Sequence, residues 1–199
     1  MTRSWRCTTD ILRIAAWTAA LAALPAGPAM AHPHVFVDYT AALVVVGDRL
    51  TGVRLTWTFD DLFSGFILQE FDKDRNGLLS PAEAQRLAEK HLPELKRVGY
   101  YTTISLNGKP VTIPEAREFR ATAAKGIVTY EFTLSLGVSL ASTTAIEVVT
   151  DDPVYYIAYI PAAVPPQTQT IGAYSVDCRV IQDKTGVTPD AVRCGIRRR

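Results

Sequence analysis

Twelve consecutive residues carry the most specific chemistry in the chain: Asp72-Lys73-Asp74-Arg75-Asn76-Gly77-Leu78-Leu79-Ser80-Pro81-Ala82-Glu83. Side-chain oxygens fall at loop positions 1, 3 and 5 (Asp72, Asp74, Asn76), and Gly77 at position 6 permits the sharp turn. Leu78 offers its backbone carbonyl at position 7, Ser80 stands at 9, and Glu83 at 12 can bind bidentately. This is the spacing of an EF-hand-like Ca2+ loop. A hard cation takes roughly six to eight oxygens at about 2.3–2.6 Å, and alternate side chains of a tight loop converge on one point. Three features depart from the pattern. Lys73 and Arg75 offset part of the acidic charge, Ala84 replaces the bulky apolar residue common after position 12, and no second loop is present. They predict a Kd on the order of 10⁻⁴ M, in the range of extracellular modules, where calcium staples a fold rather than switching it. The alternative reading is a polar helix–helix connector.

The second candidate depends on where the chain is cut. Arg3, Arg6 and Arg13 precede an apolar run over residues 14–24, then Pro25-Ala26-Gly27-Pro28 and the small residues Ala29-Met30-Ala31. That order reads as a signal peptide cleaved after Ala31. The run has 11 residues, against roughly 20 for a bilayer span, so the chain is not expected to span a membrane. A periplasmic or secreted product follows. Cleavage makes His32 a terminus in His32-Pro33-His34, offering an α-amine and two imidazoles to Ni2+, Co2+, Zn2+ or Cu2+. Pro33 has no amide hydrogen, so the usual amino-terminal copper/nickel peptide chelate is excluded. The competing reading is that His32 and His34 are exposed polar residues leading a strand. His91 reads as a helix C-terminal cation or a half-buried core residue, and Asp151 and Asp152 before Pro153 read as a turn. Either could still join a metal site.

These groups need elements to hold them. Residues 35–46 and 50–59 alternate as two strands about a Gly47-Asp48 turn. Leu62, Phe63, Phe66, Ile67 and Phe71 then fall at helical spacing after Asp60 or Asp61. A second helix is expected from Pro81 to about His91, with Pro93 ending or kinking it and residues 93–97 adding at most one turn. Strand patterns resume over 100–106, through an Asn107-Gly108 turn into 110–113, then over 126–136, 144–150, 154–160 and 171–182. Tyr100-Tyr101 and Tyr155-Tyr156 fall in these strands as packing residues. The expectation is α+β: one mostly antiparallel, sandwich-like domain over 32–199, with a helix–loop–helix inserted at about 60–97.

Composition narrows the functions further. The chain carries 21 Lys+Arg against 20 Asp+Glu, a formal +1, which becomes −1 without residues 1–31. No nucleic-acid partner follows from that balance. Arg197-Arg198-Arg199 reads as a solvated tail. Beyond the leader, Cys178 and Cys194 are the only cysteines, and an oxidising compartment pairs them. No GxSxG, HExxH, glycine-rich phosphate loop or nucleophilic cysteine is present, so enzymatic activity is not expected.

Four segments together resemble a known family. They are His32-Pro33-His34-Val35-Phe36-Val37-Asp38, Trp57-Thr58-Phe59-Asp60 with Phe63-Ser64, the acidic loop, and Asp152-Pro153-Val154-Tyr155-Tyr156. In this order they resemble an uncharacterised bacterial family, a domain of unknown function often labelled an ABC-type transport periplasmic component. Its members are frequently encoded beside, or fused to, nickel/cobalt permeases. The resemblance spans residues 32–194 and implies metal handling at the envelope with a membrane permease as partner, and it favours His32 and His34 as ligands. Two other readings stand beside it. One is a copper protein or copper-dependent oxidoreductase, which requires His34 or His91 to approach the His32 amine. The other is a calcium-stabilised interaction module with no transition metal.

Overall fold

The computed structural model describes residues 33–140, 144–162, 167–183, 185 and 188–199, all within the compact unit His32–Arg199. His32 lies outside the described residues, as does the expected leader.

The chain opens with the hairpin β1 (Val35–Val46) and β2 (Arg49–Phe59), turned by Gly47 at φ +58°. Along β2 the residues Val53, Leu55, Trp57 and Phe59 are buried while those between them are more exposed. A bulge between Leu50 and Gly52 shifts that alternation by one residue. Gly52 is required there, because a Cβ would stand 2.7 Å from the Leu134 carbonyl oxygen.

Two helices follow. Helix α1 (Asp61–Phe71) is capped by Asp60, whose Oδ1 accepts the Phe63 N–H at 2.7 Å. The Asp60 Oδ2 accepts the Phe36 N–H at 2.6 Å, so one carboxylate starts the helix and ties it to β1. Ser64 is fully buried and its hydroxyl accepts the Val128 N–H at 2.9 Å. Ile67 and Phe71 enter the core, but Leu62 and Phe66 are exposed, so the buried stripe is narrower than the spacing predicts.

Helix α2 (Pro81–Arg97) begins at Ser80 with a reciprocal capping box to Glu83. It runs through Pro93 to Arg97, which corrects the expected end near His91. Leu87 is fully buried and Leu95 packs on the core, while Arg97 donates to Glu94 at 2.7 and 3.0 Å in the last turn. Packing on either side of the proline outweighs the single backbone bond it removes.

A 3₁₀ turn, Gly99–Tyr101, then leads to β3 (Thr102–Leu106), β4 (Lys109–Pro110), β5 (Ala116–Ala124), β6 (Ile127–Ser139), β7 (Thr144–Thr150), β8 (Ile157–Pro161), β9 (Gln167–Ile171), β10 (Tyr174–Ile181) and β11 (Ala191–Arg198). Tyr100 and Tyr101 therefore stand in a left-handed turn, and Tyr155 and Tyr156 precede β8 rather than lying within it. Arg197 and Arg198 belong to β11, not to a tail.

One sheet has the order β5-β6-β2-β1-β8 and the other β4-β3-β7-β11-β10-β9. Every described pairing is antiparallel except β1 with β8, which is parallel. Buried residues of both sheets, with Ile67, Phe71 and Leu87 of the helices, form a single hydrophobic cluster. This is an α+β architecture with a strand-rich core and two helices. Cys178 and Cys194 face each other across β10 and β11 and form the expected disulfide.

Candidate metal centre

The acidic loop occupies residues 72–80, between the C-terminus of α1 and the Ser80 cap of α2. Asp72 caps α1 and turns its carboxylate over the loop, where Oδ1 accepts Asn76 N–H at 3.1 Å and Oδ2 accepts Gly77 N–H at 2.8 Å. Asp74 accepts from the Asn76 backbone at 3.2 Å and from its side-chain amide at 2.9 Å. Asn76 Oδ1 accepts the Leu78 N–H at 2.8 Å. Gly77, at φ +78°, supplies the left-handed residue on which the reversal depends.

Glu83 closes the loop from the first turn of α2. Its Oε1 accepts the Lys73 N–H at 2.6 Å, and its Oε2 accepts the Ser80 hydroxyl at 2.7 Å and the Ser80 N–H at 3.0 Å. The Ser80 hydroxyl foremost, then the Ser80 and Lys73 N–H groups, lower its carboxyl to about 2. Glu83 is thus an anion at any physiological pH.

One carboxylate oxygen from each of Asp72, Asp74 and Glu83 lies within 4.8 Å of the others. Two oxygens sharing one calcium ion at 2.3–2.6 Å sit at most about 5 Å apart, so the spacing fits a hard cation. Asp72 and Glu83 are only 7% and 4% exposed. Among the described residues the nearest cation to Glu83 is Arg86, at 4.0 Å, and no ion pair reaches Asp72 or Asp74. Lys73 and Arg75 do not neutralise these carboxylates by contact.

The histidines are placed differently. His34 is exposed at the start of β1, where its N–H donates to the Tyr156 carbonyl at 2.9 Å and its ring lies 5.1 Å from that of Tyr156. His91 is half-buried, with Nδ1 2.9 Å from the Tyr130 hydroxyl and its ring edge-on to Phe71. Burial lowers its pKa. Among the described residues, neither histidine belongs to a group of three or more metal-ligating side chains.

Asp152 serves the backbone instead. Its carboxylate accepts the N–H groups of Val154, Tyr156 and Ile157 at 3.0–3.1 Å, shaping the turn that carries Tyr156 to His34. Burial raises the Asp151 carboxyl, and the neighbouring Asp152 adds to the effect.

Three of the four segments singled out in the sequence, those at 32–38, 57–64 and 152–156, meet in space. Asp60 bonds Phe36, Ser64 bonds β6, and the Asp152 turn delivers Tyr156 to His34. The structural roles of Asp60 and Ser64 had no signal beyond a polar residue near a helix start.

An acidic helix–loop–helix mounted on two antiparallel-rich sheets defines an α+β protein with one cluster of cation-ligating side chains among its described residues. The chain belongs to the family described as "Protein of unknown function (DUF1007)", whose model matches residues 17–185. It is 24% identical over 132 residues to an uncharacterized protein of Haemophilus influenzae, covering 65% of this chain and 62% of that one. It is 28% identical over 90 residues to an uncharacterized 15.5 kDa protein in the trpE 3' region of Spirochaeta aurantia, covering 45% and 64% respectively. The chain thus spans somewhat under two thirds of the length of these curated relatives.

Proposed function

We propose that this is an exported, metal-binding accessory protein. In this reading calcium sits in the EF-hand-like loop on Asp72, Asp74, Asn76, Ser80, Glu83 and the Leu78 carbonyl, and His32 with His34 captures a transition ion for a membrane metal permease. The observation that carries the calcium part is the convergence of three carboxylates within 4.8 Å, with no cation among the described residues contacting Asp72 or Asp74. Bound calcium would offset the mutual repulsion of these anions and lock α1 to α2.

Calorimetric titration of the full chain with Ca2+ tests it. The expected Kd is on the order of 10⁻⁴ M, with Glu83→Gln losing the heat while keeping its circular dichroism spectrum. A parent protein that gives no calcium heat overturns the reading.

Support for the transition-metal part is the exposure of His34 at the head of β1. Metal analysis of protein exported and processed in its own compartment is the test. Nickel, cobalt, zinc or copper should copurify and be lost in His34→Ala; equal metal content in both rejects this role.

A second reading is favoured by one observation: Val154, Tyr155 and Tyr156 are all exposed, and the Tyr156 ring lies 5.1 Å from that of His34. In it, calcium orders the fold and this apolar turn docks on a membrane partner without a transition ion. Capture of the partner would then survive His34→Ala and fail in Val154→Asp.

A further inference from the structure

Between the first sheet and the C-terminal half of α2 lies a cavity of about 250 Å³. Its walls are aromatic: Trp57 and Phe59 from β2, Tyr130 from β6, Tyr159 from β8 and Tyr101 from the 3₁₀ turn, with His91 from α2. The metal site and the His34 region use none of these side chains.

Three features set it apart from ordinary core packing. Trp57 is 1% exposed, yet its indole Nε1–H has no hydrogen-bond partner. A buried donor without an acceptor is rare, because water has been removed and nothing has replaced it. Second, the Tyr101 and Tyr159 rings lie 5.7 Å apart on the cavity wall, and neither hydroxyl bonds a described residue. Third, Tyr101 closes a run of three left-handed residues: Gly99, Tyr100 and Tyr101 have φ of +63°, +56° and +48°. Two successive tyrosines in that region are strained, and such strain collects at ligand clamps.

The chemistry of the lining narrows the occupant. Glu94 and Arg97 at the cavity are paired with each other at 2.7 Å, so they cancel. His91 is held toward its neutral form by burial, and burial pushes the Tyr130 and Tyr159 hydroxyls up. The lining is therefore largely aromatic with its one charged pair compensated, which opposes an ionic ligand. Aromatic walls favour a planar ring, and the Trp57 N–H calls for one acceptor on it.

We infer that this cavity is a binding site for a small neutral aromatic molecule whose carbonyl or equivalent acceptor takes the Trp57 indole N–H. The Tyr101 and Tyr159 hydroxyls flank the same acceptor or a second one. Val98 lines the cavity and is 38% exposed, which makes it the residue to enlarge when blocking entry.

Benzamide serves as the probe, since it combines a ring with a carbonyl acceptor. In the ¹⁵N-labelled full chain, three tryptophans give indole N–H resonances, and the one missing from Trp57→Phe is that of Trp57. Sequential assignment identifies it if that variant does not fold. Saturable downfield movement of this proton with benzamide is expected, with loss of the movement in Val98→Phe, which fills the mouth. Choline is titrated in parallel and should leave the resonance in place. A Trp57 resonance unmoved by benzamide overturns the assignment, as does movement by choline alone, which would mark an aromatic cage for cations.

Discussion

Single side chains here do work that their neighbours in sequence do not announce. Asp152 is 4% exposed and accepts three backbone N–H groups, so Asp152→Ala leaves several donors without partners. Each such orphan costs about 1–3 kcal/mol. The variant should lose about 2–4 kcal/mol in denaturant unfolding, and Asp152→Asn should recover only part of it. Its His34–Tyr156 ring contact should also be lost, visible as a changed His34 environment in NMR spectra. The turn expected at Asp151 and Asp152 is present, with Asp152 as its acceptor. A carboxylate before Pro153 looks like a turn former or a metal ligand, and only the three converging N–H groups decide between them. By contrast the convergence of Asp72, Asp74 and Glu83 was legible from their spacing. Its oxygens alternate along one short stretch, so sequence spacing and spatial spacing coincide. His34 joins no group of three metal-ligating side chains among the described residues, and His32 lies outside them.

At the level of elements, α2 shows packing overruling a local rule. A proline in a helix interior costs about 3 kcal/mol relative to alanine, yet α2 continues for a further turn past Pro93. Replacing Pro93 by Ala should therefore raise the unfolding free energy, by up to about 3 kcal/mol. An unchanged or lowered denaturation midpoint would show that Pro93 sets a bend the packing of Leu95 requires. Strands were readable where apolar residues alternate, as in β1 and β2. Strand β5 escaped because its sequence, Ala-Arg-Glu-Phe-Arg-Ala-Thr-Ala-Ala, has a single β-branched residue and helix-forming composition. Pairing to β6 fixes it as a strand, with Glu118 at φ +57° absorbing the register shift. Strand β11 does alternate, with Val192, Cys194 and Ile196 buried, but its closing arginines mask the pattern. The opposite misreading occurred at Tyr100 and Tyr101: two aromatic residues suit a strand, and only the turn's backbone angles show otherwise.

For the whole molecule, acid should act through groups whose folded and free proton affinities differ. Burial lowers the His91 pKa below its ordinary 6.5. The unfolded chain then binds a proton at His91 that the folded chain resists. Stability from this group is complete above pH 6.5 and falls as the pH drops below it, through the lower folded value. Glu83, held at about 2 against an ordinary 4.5, extends the loss to more acid conditions, since its contribution is present above pH 4.5 and disappears as pH falls towards 2. Thermal unfolding followed from pH 7.5 to 5.5 should show a falling midpoint, and His91→Gln should flatten that interval while leaving the steeper loss below pH 4.5. An unflattened profile would place the proton uptake on another group.

The parallel pairing of β1 with β8 governs the order in which this chain can be assembled. Strand β1 meets β2 across a two-residue turn, a contact available as soon as the first hairpin is complete. Its other edge is filled by Ile157–Pro161, more than a hundred residues later. Such distant pairing is slow to form, because most of the loop-closure entropy must be lost before the contact is made. A polypeptide emerging vectorially, amino end first, therefore carries an open β1 edge for most of its passage. An open edge of this kind recruits foreign strands. The interval before β8 arrives is the period in which this protein most needs a holding chaperone.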